Sequence, residues 1–381
     1  MATSTSHRAL SGSRHSPKRH SQSGMDINSP PCQKPKPFTC IGRGTCGTVW
    51  EVPESNIVYK TGKDAAALAH DLNLCRNVHA AFLRYQRVVD KEFGGAIKLP
   101  LVPAGHEFHR PARNDGEITR NGFWASNLHR FPAGDESSPT SHTAAISLTR
   151  IHSLPLRLRS ALIDFYFDPD LFASPTSRAR GAADHCLTRL YLGSNDYESW
   201  FRTFASQAPV TVHGVTQCMA AGLAVMHWGA RCDGMDVEWV LGCTAQGVIK
   251  PFILDFDKAK KFDLDEEDVV KKLLGGVLGN DPYFPVEGRL HEKFVEVYLK
   301  TSKAILEEEE NPKALTLSQM FVKAWHEALD RRREADAAED DIFEHQAEAV
   351  EDSGGWNDDE IDELEGSDAN SVCSSDINEV K

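Results

Sequence analysis

The stretch Ile41–Trp50, with the sequence IGRGTCGTVW, carries the most specific local pattern in the chain. Gly42, Gly44 and Gly47, followed by Val49, fit the spacing G-x-G-x-x-G-x-V. Short β-branched and aromatic runs, PFTCIG and TVWEV, accompany the glycines and predict a strand on each side. Glycines at this spacing let backbone N–H groups approach a phosphate closely. The stretch therefore predicts a β-hairpin with a glycine-rich loop suited to a phosphate.

The elements around a glycine triplet decide between its uses. A dinucleotide-binding loop leads into a helix and is followed by an acidic residue about 20 positions later. Here the loop lies between strands, and a third strand, NIVYKTG, supplies Lys60 shortly afterwards. Protein kinases have this order of strand, glycine loop, strand and lysine, and their lysine pairs with the α- and β-phosphates. For this stretch alone, a plain hairpin with an exposed lysine remains the alternative.

A second group of residues lies far downstream. The segment Leu223–Leu241, LAVMHWGARCDGMDVEWVL, predicts a helix that ends in Met-His, then Asp233 and, five positions later, Glu238. In a kinase catalytic loop the aspartate orients the acceptor hydroxyl, and the residue five positions later binds metal. Asp255 closes an apolar strand and precedes Phe256, as in a metal-binding Asp-Phe-Gly segment. Burying such a carboxylate is costly unless it binds metal or accepts hydrogen bonds, and turn capping is the alternative.

Residues 38–330 as a whole resemble the protein-kinase-like fold. More closely, the chain resembles a fungal family that is catalogued only as a domain of unknown function and is often mislabelled as zinc-finger proteins. The segments that carry this closer resemblance are VYKTG, RIHSLPLRL, CLTRLYLG, LAVMHWGARCDGMDVEWVLG, ILDFD and NDPYFP. A β-rich first third followed by helices predicts an α+β protein with two lobes. The predicted boundaries are a disordered leader 1–37, an N-lobe 38–149, a C-lobe 150–330 and a disordered tail 331–381.

The kinase resemblance implies roles for individual residues. It implies ATP with Mg²⁺ or Mn²⁺ as cofactor, Asp233 as the catalytic residue, and Glu238 and Asp255 as metal ligands. The nucleotide would be held by the glycine loop, the strand lysine and an arginine at the hinge between lobes: Gly42, Gly44, Gly47, Val49, Lys60 and Arg150. For the arginine, a simple surface position is the alternative.

Several positions depart from a working kinase. The altered positions are Arg231 and Cys232 for His-Arg, Met235 for a lysine, Glu238 for an asparagine, and Asp257 for the glycine after Asp-Phe. The helix after Lys60 offers no glutamate, so Asp71 is the nearest acid for the activating ion pair. The added carboxylates would strengthen cation binding but would repel phosphates without a cation. They favour a metal-dependent nucleotide site or no nucleotide site at all.

Three functions follow from this pattern. The first is a degenerate kinase-like protein that binds a metal-nucleotide and acts as a regulatory or scaffolding module. The second is an active atypical phosphotransferase that uses Mg-ATP. The third is a non-enzymatic interaction protein that docks a basic protein partner through its acidic tail.

The charge of the chain is concentrated at its end. The net charge is −14, but Glu334–Lys381 contains 18 acidic residues and one basic residue, whereas residues 1–333 contain 41 basic and 38 acidic residues. A single-sign block of this kind is typical of a solvated tail. A nearly neutral body and a tail that repels phosphates argue against nucleic acid as a partner.

Other function classes are excluded by composition. The nine cysteines include no C-x-x-C pair and no Cys/His set with finger spacing, so we expect no structural zinc. No apolar run is long enough to cross a bilayer, and the N-terminus lacks a secretory apolar region. The sequence therefore predicts an intracellular protein, cytoplasmic or nuclear or both, with no membrane partner.

Coarse periodicity places the remaining elements. It predicts a helix over Asp64–Arg84 with Asp64 as N-cap, a long loop or decorated hairpin over 106–143, and a strand over 146–151. The hairpin EWVLG–KPFILDF follows the helix VTQCMAAGLAVMHW, and three further helices are EEDVVKKLLGG, HEKFVEVYLKTSKAILEE and LSQMFVKAWHEALDRR. His227 is more typical of a packed side chain than of a base.

Overall fold

The computed structural model describes residues 35–111, 122–132, 139, 143–166, 187–193 and 211–352. Most of the predicted leader, residues 1–34, and the last part of the predicted tail, residues 353–381, lie outside these ranges. The mixed α+β class predicted from the sequence is confirmed. Within the described ranges, no helix is long and apolar enough to span a bilayer.

Five strands of the described chain form one antiparallel sheet, in the order β1-β2-β3-β5-β4. They are β1 (Thr39–Gly44), β2 (Gly47–Glu51), β3 (Ile57–Gly62), β4 (Gly105–His109) and β5 (Ala144–Thr149). The predicted hairpin around the glycines is confirmed, since Gly44 pairs with Gly47 at its end. Lys60 lies on the central strand β3, opposite Val49 on one side and Ile146 on the other.

The connection over residues 106–143 is the decorated hairpin rather than the long loop. β4 pairs with β5, and the chain between them includes the short helix α2 (Phe123–Asn127) and a 3-10 turn, Leu128–Arg130. Trp124 and Phe131 from this connection pack with Trp50 and Phe38 in an aromatic cluster. The aromatic side chains thus cover one face of the sheet.

Helix α1, Ala65–Glu92, follows β3 directly and is eight residues longer at its C-terminal end than predicted. The predicted N-cap is confirmed, because the Asp64 carboxylate accepts hydrogen bonds from the backbone of Ala66 and Ala67, both at 2.9 Å. Near its start, Leu68 and Leu72 pack against the sheet. The rest of its apolar side belongs to the main core of the protein.

The remaining chain is mainly helical, with a small second sheet. Its elements are α3 (Leu156–Tyr166), β6 (Thr188–Arg189), α4 (Val212–Ala224), a π-helical segment (Val225–Gly229), β7 (Glu238–Cys243), β8 (Ile249–Leu254), α5 (Val269–Leu278), α6 (Gly288–Glu308) and α7 (Pro312–Asp352). β7 and β8 form the predicted hairpin, and β6 pairs with β7. The two-residue strand β6 was not predicted.

The main core joins α1 to the C-terminal helices. It includes Val78 and Tyr85 of α1, Trp228 at the end of the π-helical segment and Phe294 of α6. An apolar stripe of α7 is buried in the same core: Phe321, Trp325 and Leu329. Since α1 contributes to the sheet and to this core, it fixes the β-rich part to the helical part.

Helix α7 extends past the start of the predicted tail. The tail was predicted from residue 331, and the helix is described as far as Asp352. Ala and Glu are strong helix formers, and the segment ADAAEDD is rich in small and acidic residues. Every side chain from Arg331 to Ala338 is exposed. Over these eight residues the helix buries no face, so it gives no apolar periodicity from which it could be predicted.

Two adjacent glycines in α5 give a matched test of how that helix packs. A Cβ on Gly276 would lie 2.0 Å from the carbonyl oxygen of Asp233, whereas a Cβ on Gly275 would lie 3.9 Å from Met235 Cε. We expect Gly276→Ala to lower the free energy of unfolding by about 2 kcal/mol through overpacking. Gly275→Ala gains helix propensity and raises it by up to about 1 kcal/mol. Urea denaturation of both variants measures the difference, and equal effects would show that α5 does not contact the Asp233 loop.

Candidate functional site

The Lys60 ammonium group lies between two carboxylates from distant parts of the chain. Its Nζ is 2.7 Å from Asp71 Oδ2 on α1 and 2.6 Å from Asp255 Oδ1, directly after β8. The sequence analysis named Asp71 as the nearest acid that could pair with Lys60, and this ion pair is present. Asp71 Oδ1 also accepts a hydrogen bond from the backbone N–H of Phe256 at 3.1 Å. One aspartate on α1 therefore positions both the strand lysine and the Asp255 segment.

Burial differs strongly among these three charged groups. The side chains of Lys60 and Asp71 are 9% and 3% exposed, but that of Asp255 is 30% exposed. Burial by itself lowers the pKa of Lys60, but the charges of Asp71 and Asp255 outweigh it and raise that pKa above its usual value. Burial raises the pKa of Asp255, and Lys60 opposes this shift. The group that a solvent cation can reach is Asp255.

The backbone at Asp255 is held in an unusual conformation. Its φ is +64°, in the left-handed region that residues with a Cβ seldom adopt. The following side chain, Phe256, is fully buried in the main core, and its N–H is bound by Asp71. These contacts compensate for the strain and keep the Asp255 carboxylate beside Lys60.

The glycine-rich loop packs closely on β3 and extends toward Asp257. Gly47 has φ +154°, and a Cβ there would come 2.4 Å from the carbonyl oxygen of Thr61. Only glycine therefore fits at this start of β2. At the tip of the loop, burial and a hydrogen bond with Asp257 raise the pKa of the Cys46 thiol. The loop thus lies next to the chain segment that carries Asp255.

Gly42, Val49 and Arg150 have no described contact with Lys60, Asp71 or Asp255, apart from the pairing of Val49 with Lys60 between β2 and β3. Gly42 pairs with Val49 across β1 and β2, so both belong to the same hairpin as the loop. Arg150 follows β5 and forms an ion pair with Glu51 on β2. The described contacts do not join Arg150 to Lys60 or Asp255. Its role in nucleotide binding stays a prediction.

Asp233 is 6% exposed and binds backbone rather than side chains. Its Oδ1 accepts hydrogen bonds from the N–H groups of Met235 at 3.1 Å and Lys260 at 2.8 Å. Burial raises the pKa of Asp233, and these backbone donors oppose the shift. The carboxylate therefore joins the loop after the π-helical segment to the chain that follows Asp255.

Glu238 is bound by an arginine that the sequence analysis missed. It begins β7 opposite Leu254, so it lies beside the residue that precedes Asp255. Its carboxylate forms an ion pair with Arg189 of β6. Burial raises the pKa of Glu238, and the charge of Arg189 opposes this shift. The segment CLTRLYLG contained this arginine, but nothing local indicated that a two-residue strand would bring it to Glu238.

His227 is a packed core residue, in agreement with the sequence interpretation. It is fully buried, and its Nδ1 lies 3.0 Å from the hydroxyl of Tyr298 on α6. The same hydroxyl accepts a hydrogen bond from Trp228 Nε1 at 3.0 Å. Burial lowers the pKa of His227 to about 3. The imidazole is therefore neutral in the folded protein around neutral pH.

The donor set around Lys60, Asp255 and Glu238, a region called the cleft below, fits a magnesium ion better than a zinc ion. Mg²⁺ is usually bound through one or two carboxylates together with waters and substrate phosphates. Asp255 offers such a carboxylate, whereas Glu238 is held by Arg189. Among the described residues, no cluster of three or more His, Cys, Asp or Glu is placed to hold a metal ion. A cation at Asp255 would thus take its other ligands from phosphate and water.

The comparisons with known proteins give one family match and distant structural likenesses. Residues 252–310 match the family model described as DUF3669, zinc finger protein. No curated protein matches the chain. Among solved structures, the chain is similar to a thermostable mutant of aminoglycoside phosphotransferase APH(4)-Ia in its apo form, with 9% identity, a TM-score of 0.20 and coverage of 76% of this chain and 94% of that chain. It is also similar to a microcompartment-associated aminopropanol kinase, with 11% identity, a TM-score of 0.18 and coverage of 78% and 93%.

The family match covers residues 252–310. TM-scores this low do not establish a shared fold. The family match agrees with the resemblance to a family labelled as zinc-finger proteins, while a fungal origin stays a prediction. The matched stretch spans Asp255, α5 and α6, and it contains no cysteine and one histidine, His291. It cannot supply a Cys/His ligand set for zinc by itself.

The buried ion pairs of Lys60 can be tested by removing the cation. We expect Lys60→Met to lower the free energy of unfolding by about 3 kcal/mol, because Asp71 would be left buried without a charged partner. The matched control is Lys63→Met, which removes an exposed lysine just after β3 and changes stability by less than about 0.5 kcal/mol. Urea denaturation of the two variants gives both values. Equal and small effects would contradict the described geometry.

The buried imidazole of His227 predicts a pH dependence of stability. The unfolded chain binds a proton below about pH 6.5, while the folded protein resists protonation down to about pH 3. This contribution to stability is therefore fully present above pH 6.5 and is lost as pH falls, by up to about 1.4 kcal/mol per pH unit. We expect the stability difference between wild type and His227→Gln to shrink between about pH 7 and about pH 4.5. Urea titrations at both pH values measure it, and a constant difference would disprove the assignment.

Proposed function

We propose that the chain is a kinase-like protein that binds a nucleotide together with a divalent cation and acts as a regulatory or scaffolding module. Its two lobes would be residues 38–149 and 150–330, with the nucleotide between the glycine-rich loop and Asp255. The contact of Lys60 with both Asp71 and Asp255 carries this proposal. A lysine held beside a partly exposed aspartate provides one positive group for phosphates and one carboxylate for a cation.

Three features favour weak or absent catalysis. The Oδ1 atom of Asp233 already accepts hydrogen bonds from two backbone N–H groups. It is therefore engaged in holding the backbone and is not available to orient the hydroxyl group of a substrate. Glu238 is neutralised by Arg189 and is not free to complete a two-cation site. Asp257 replaces the glycine after Asp-Phe and adds a negative charge beside the loop tip. These three features weaken catalysis, but they do not prevent the binding of a nucleotide, because binding requires no proton transfer.

An active phosphotransferase is the second candidate, and the surroundings of Asp233 favour it. Burial raises the pKa of this carboxylate, which makes it a better proton acceptor than a solvated aspartate. If the protein is active, Lys60 would bind phosphate, Asp233 would orient the acceptor hydroxyl, and Asp255 would hold the cation. When bound, that cation would neutralise charge on the transferred phosphoryl group.

Nucleotide binding can be tested by thermal unfolding of the full chain with ATP and Mg²⁺ or Mn²⁺. We expect stabilisation of about 2.7 kcal/mol when the nucleotide is present at about 100 times its Kd. The shift requires both the nucleotide and the cation, because the cleft carboxylates repel uncompensated phosphates. A melting temperature unaffected by any of these combinations would refute the proposed function.

Asp233→Asn separates the two candidates. This variant retains the size of the side chain and the acceptor oxygen for the Lys260 and Met235 N–H groups. If wild type hydrolyses or transfers the γ-phosphate and the variant binds ATP without doing so, the protein is an enzyme. If neither protein turns over ATP while both bind it, the regulatory role stands.

The acidic end of the chain suggests a partner of opposite charge. Helix α7 presents exposed acidic side chains beyond the core, and the sequence after it continues the negative block. A basic protein surface is the complementary partner. This docking role is a proposal that is separate from the nucleotide site.

A further inference from the structure

Two segments singled out in the sequence, CLTRLYLG and NDPYFP, lie far apart in the chain but meet in the structure. The Leu192 N–H donates to the carbonyl of Tyr283 at 3.2 Å, and the Gly193 N–H donates to that of Pro282 at 2.8 Å. The first segment also pairs with β7 through β6. Together they border the start of β7, next to Glu238.

Arg189 is the residue through which these two segments reach Glu238. Its Nη1 donates to Asp281 Oδ2 at 2.7 Å and lies 2.8 Å from the hydroxyl of Tyr191. Its Nη2 donates to the Glu238 carboxylate. The Tyr191 hydroxyl donates to Asp281 Oδ2 at 3.0 Å, which closes the network. One guanidinium thus lies between two carboxylates, beside the strand end that leads to Asp255.

We propose that Arg189 occupies the place of a second divalent cation, so that a nucleotide in this cleft brings a single cation, held by Asp255. The inference rests on the proposed nucleotide site and specifies its metal content. Glu238 stands at the sequence position where the kinase resemblance predicts a metal ligand. Its negative charge is already paired with Arg189, so it is not available to bind a second cation. A guanidinium stays charged at any physiological pH, so Glu238 is compensated with or without metal.

Charge balance explains why a permanent cation suits this position. Lys60 is shared by Asp71 and Asp255, so it cannot also neutralise Glu238, and Arg189 supplies a second positive charge that Glu238 shares with Asp281. Arginine is more weakly hydrated than an ammonium ion and binds carboxylates with a rigid fork of donors. Arg189 therefore lowers the negative potential near the phosphates without requiring a second metal ion.

The test titrates Mn²⁺ into the full chain, with and without a non-hydrolysable ATP analogue. The EPR signal of the free ion falls as Mn²⁺ binds, and this loss gives the number of bound ions. We expect one Mn²⁺ per bound nucleotide in wild type. Arg189→Met frees Glu238 and Asp281, so this variant gains a further Mn²⁺ site, with or without nucleotide. The double variant Arg189→Met/Glu238→Gln loses that gain. Lys258→Met is the matched control, because it removes one positive charge from the exposed pair with Asp236 and adds no Mn²⁺.

Glu238→Gln provides a second test that does not depend on the folding of Arg189→Met. We expect it to leave the affinity for Mn²⁺ unchanged within about twofold, whereas Asp255→Asn weakens it by at least about tenfold. A tenfold loss in Glu238→Gln would overturn the inference, and so would a folded Arg189→Met that binds no further Mn²⁺. A wild type that binds no nucleotide would refute the proposed function instead. The nucleotide-free comparison of Arg189→Met with its double variant would then still decide whether Arg189 blocks a cation site.

Discussion

The Lys60 ammonium group, held between Asp71 and Asp255, joins three parts of the chain that are far apart in sequence. A buried ion pair of this kind adds little net stability, because desolvation offsets much of the attraction between the charges. Removing one partner is costly, however, since a buried charge is left alone. The interaction therefore acts mainly as a positional constraint: β3, α1 and the segment after β8 fit together in the one arrangement that satisfies the lysine.

Helix α1 carries this constraint to the rest of the molecule. Besides Asp71, its His70 side chain lies 2.8 Å from the carbonyl of Ala259, and Asn77 donates to the carbonyl of Ala230 at 2.7 Å. Farther along, Tyr85 is fully buried in the core shared with the C-terminal helices. Moving α1 away from the sheet would break these contacts together with the lysine pair. The Lys60–Asp71 pair is therefore part of the packing that holds α1 in place.

Local chemistry explains which features the sequence predicted. The β1–β2 hairpin and the N-cap at Asp64 depend on neighbouring residues, so composition and spacing were sufficient to find them. Asp71 could be named because it is the acid nearest to Lys60 on the next helix. The partner of Glu238 could not be named, since Arg189 reaches it through a two-residue strand and a long-range pairing with β7. Likewise, the backbone donors that bind Asp233 become neighbours only when the chain is folded.

The three acids predicted to do chemistry have each acquired a different partner. Asp233 binds backbone N–H groups, Glu238 binds a guanidinium, and Asp255 binds the strand lysine. A backbone amide and a guanidinium are permanent donors, so they hold their carboxylates in every state of the cleft. Lysine is different, because its ammonium can turn toward a phosphate while Asp255 turns toward the cation that accompanies it. Lys60 keeps its pair with Asp71 when its contact with Asp255 is exchanged in this way, so the proposed metal-nucleotide would lie at Asp255.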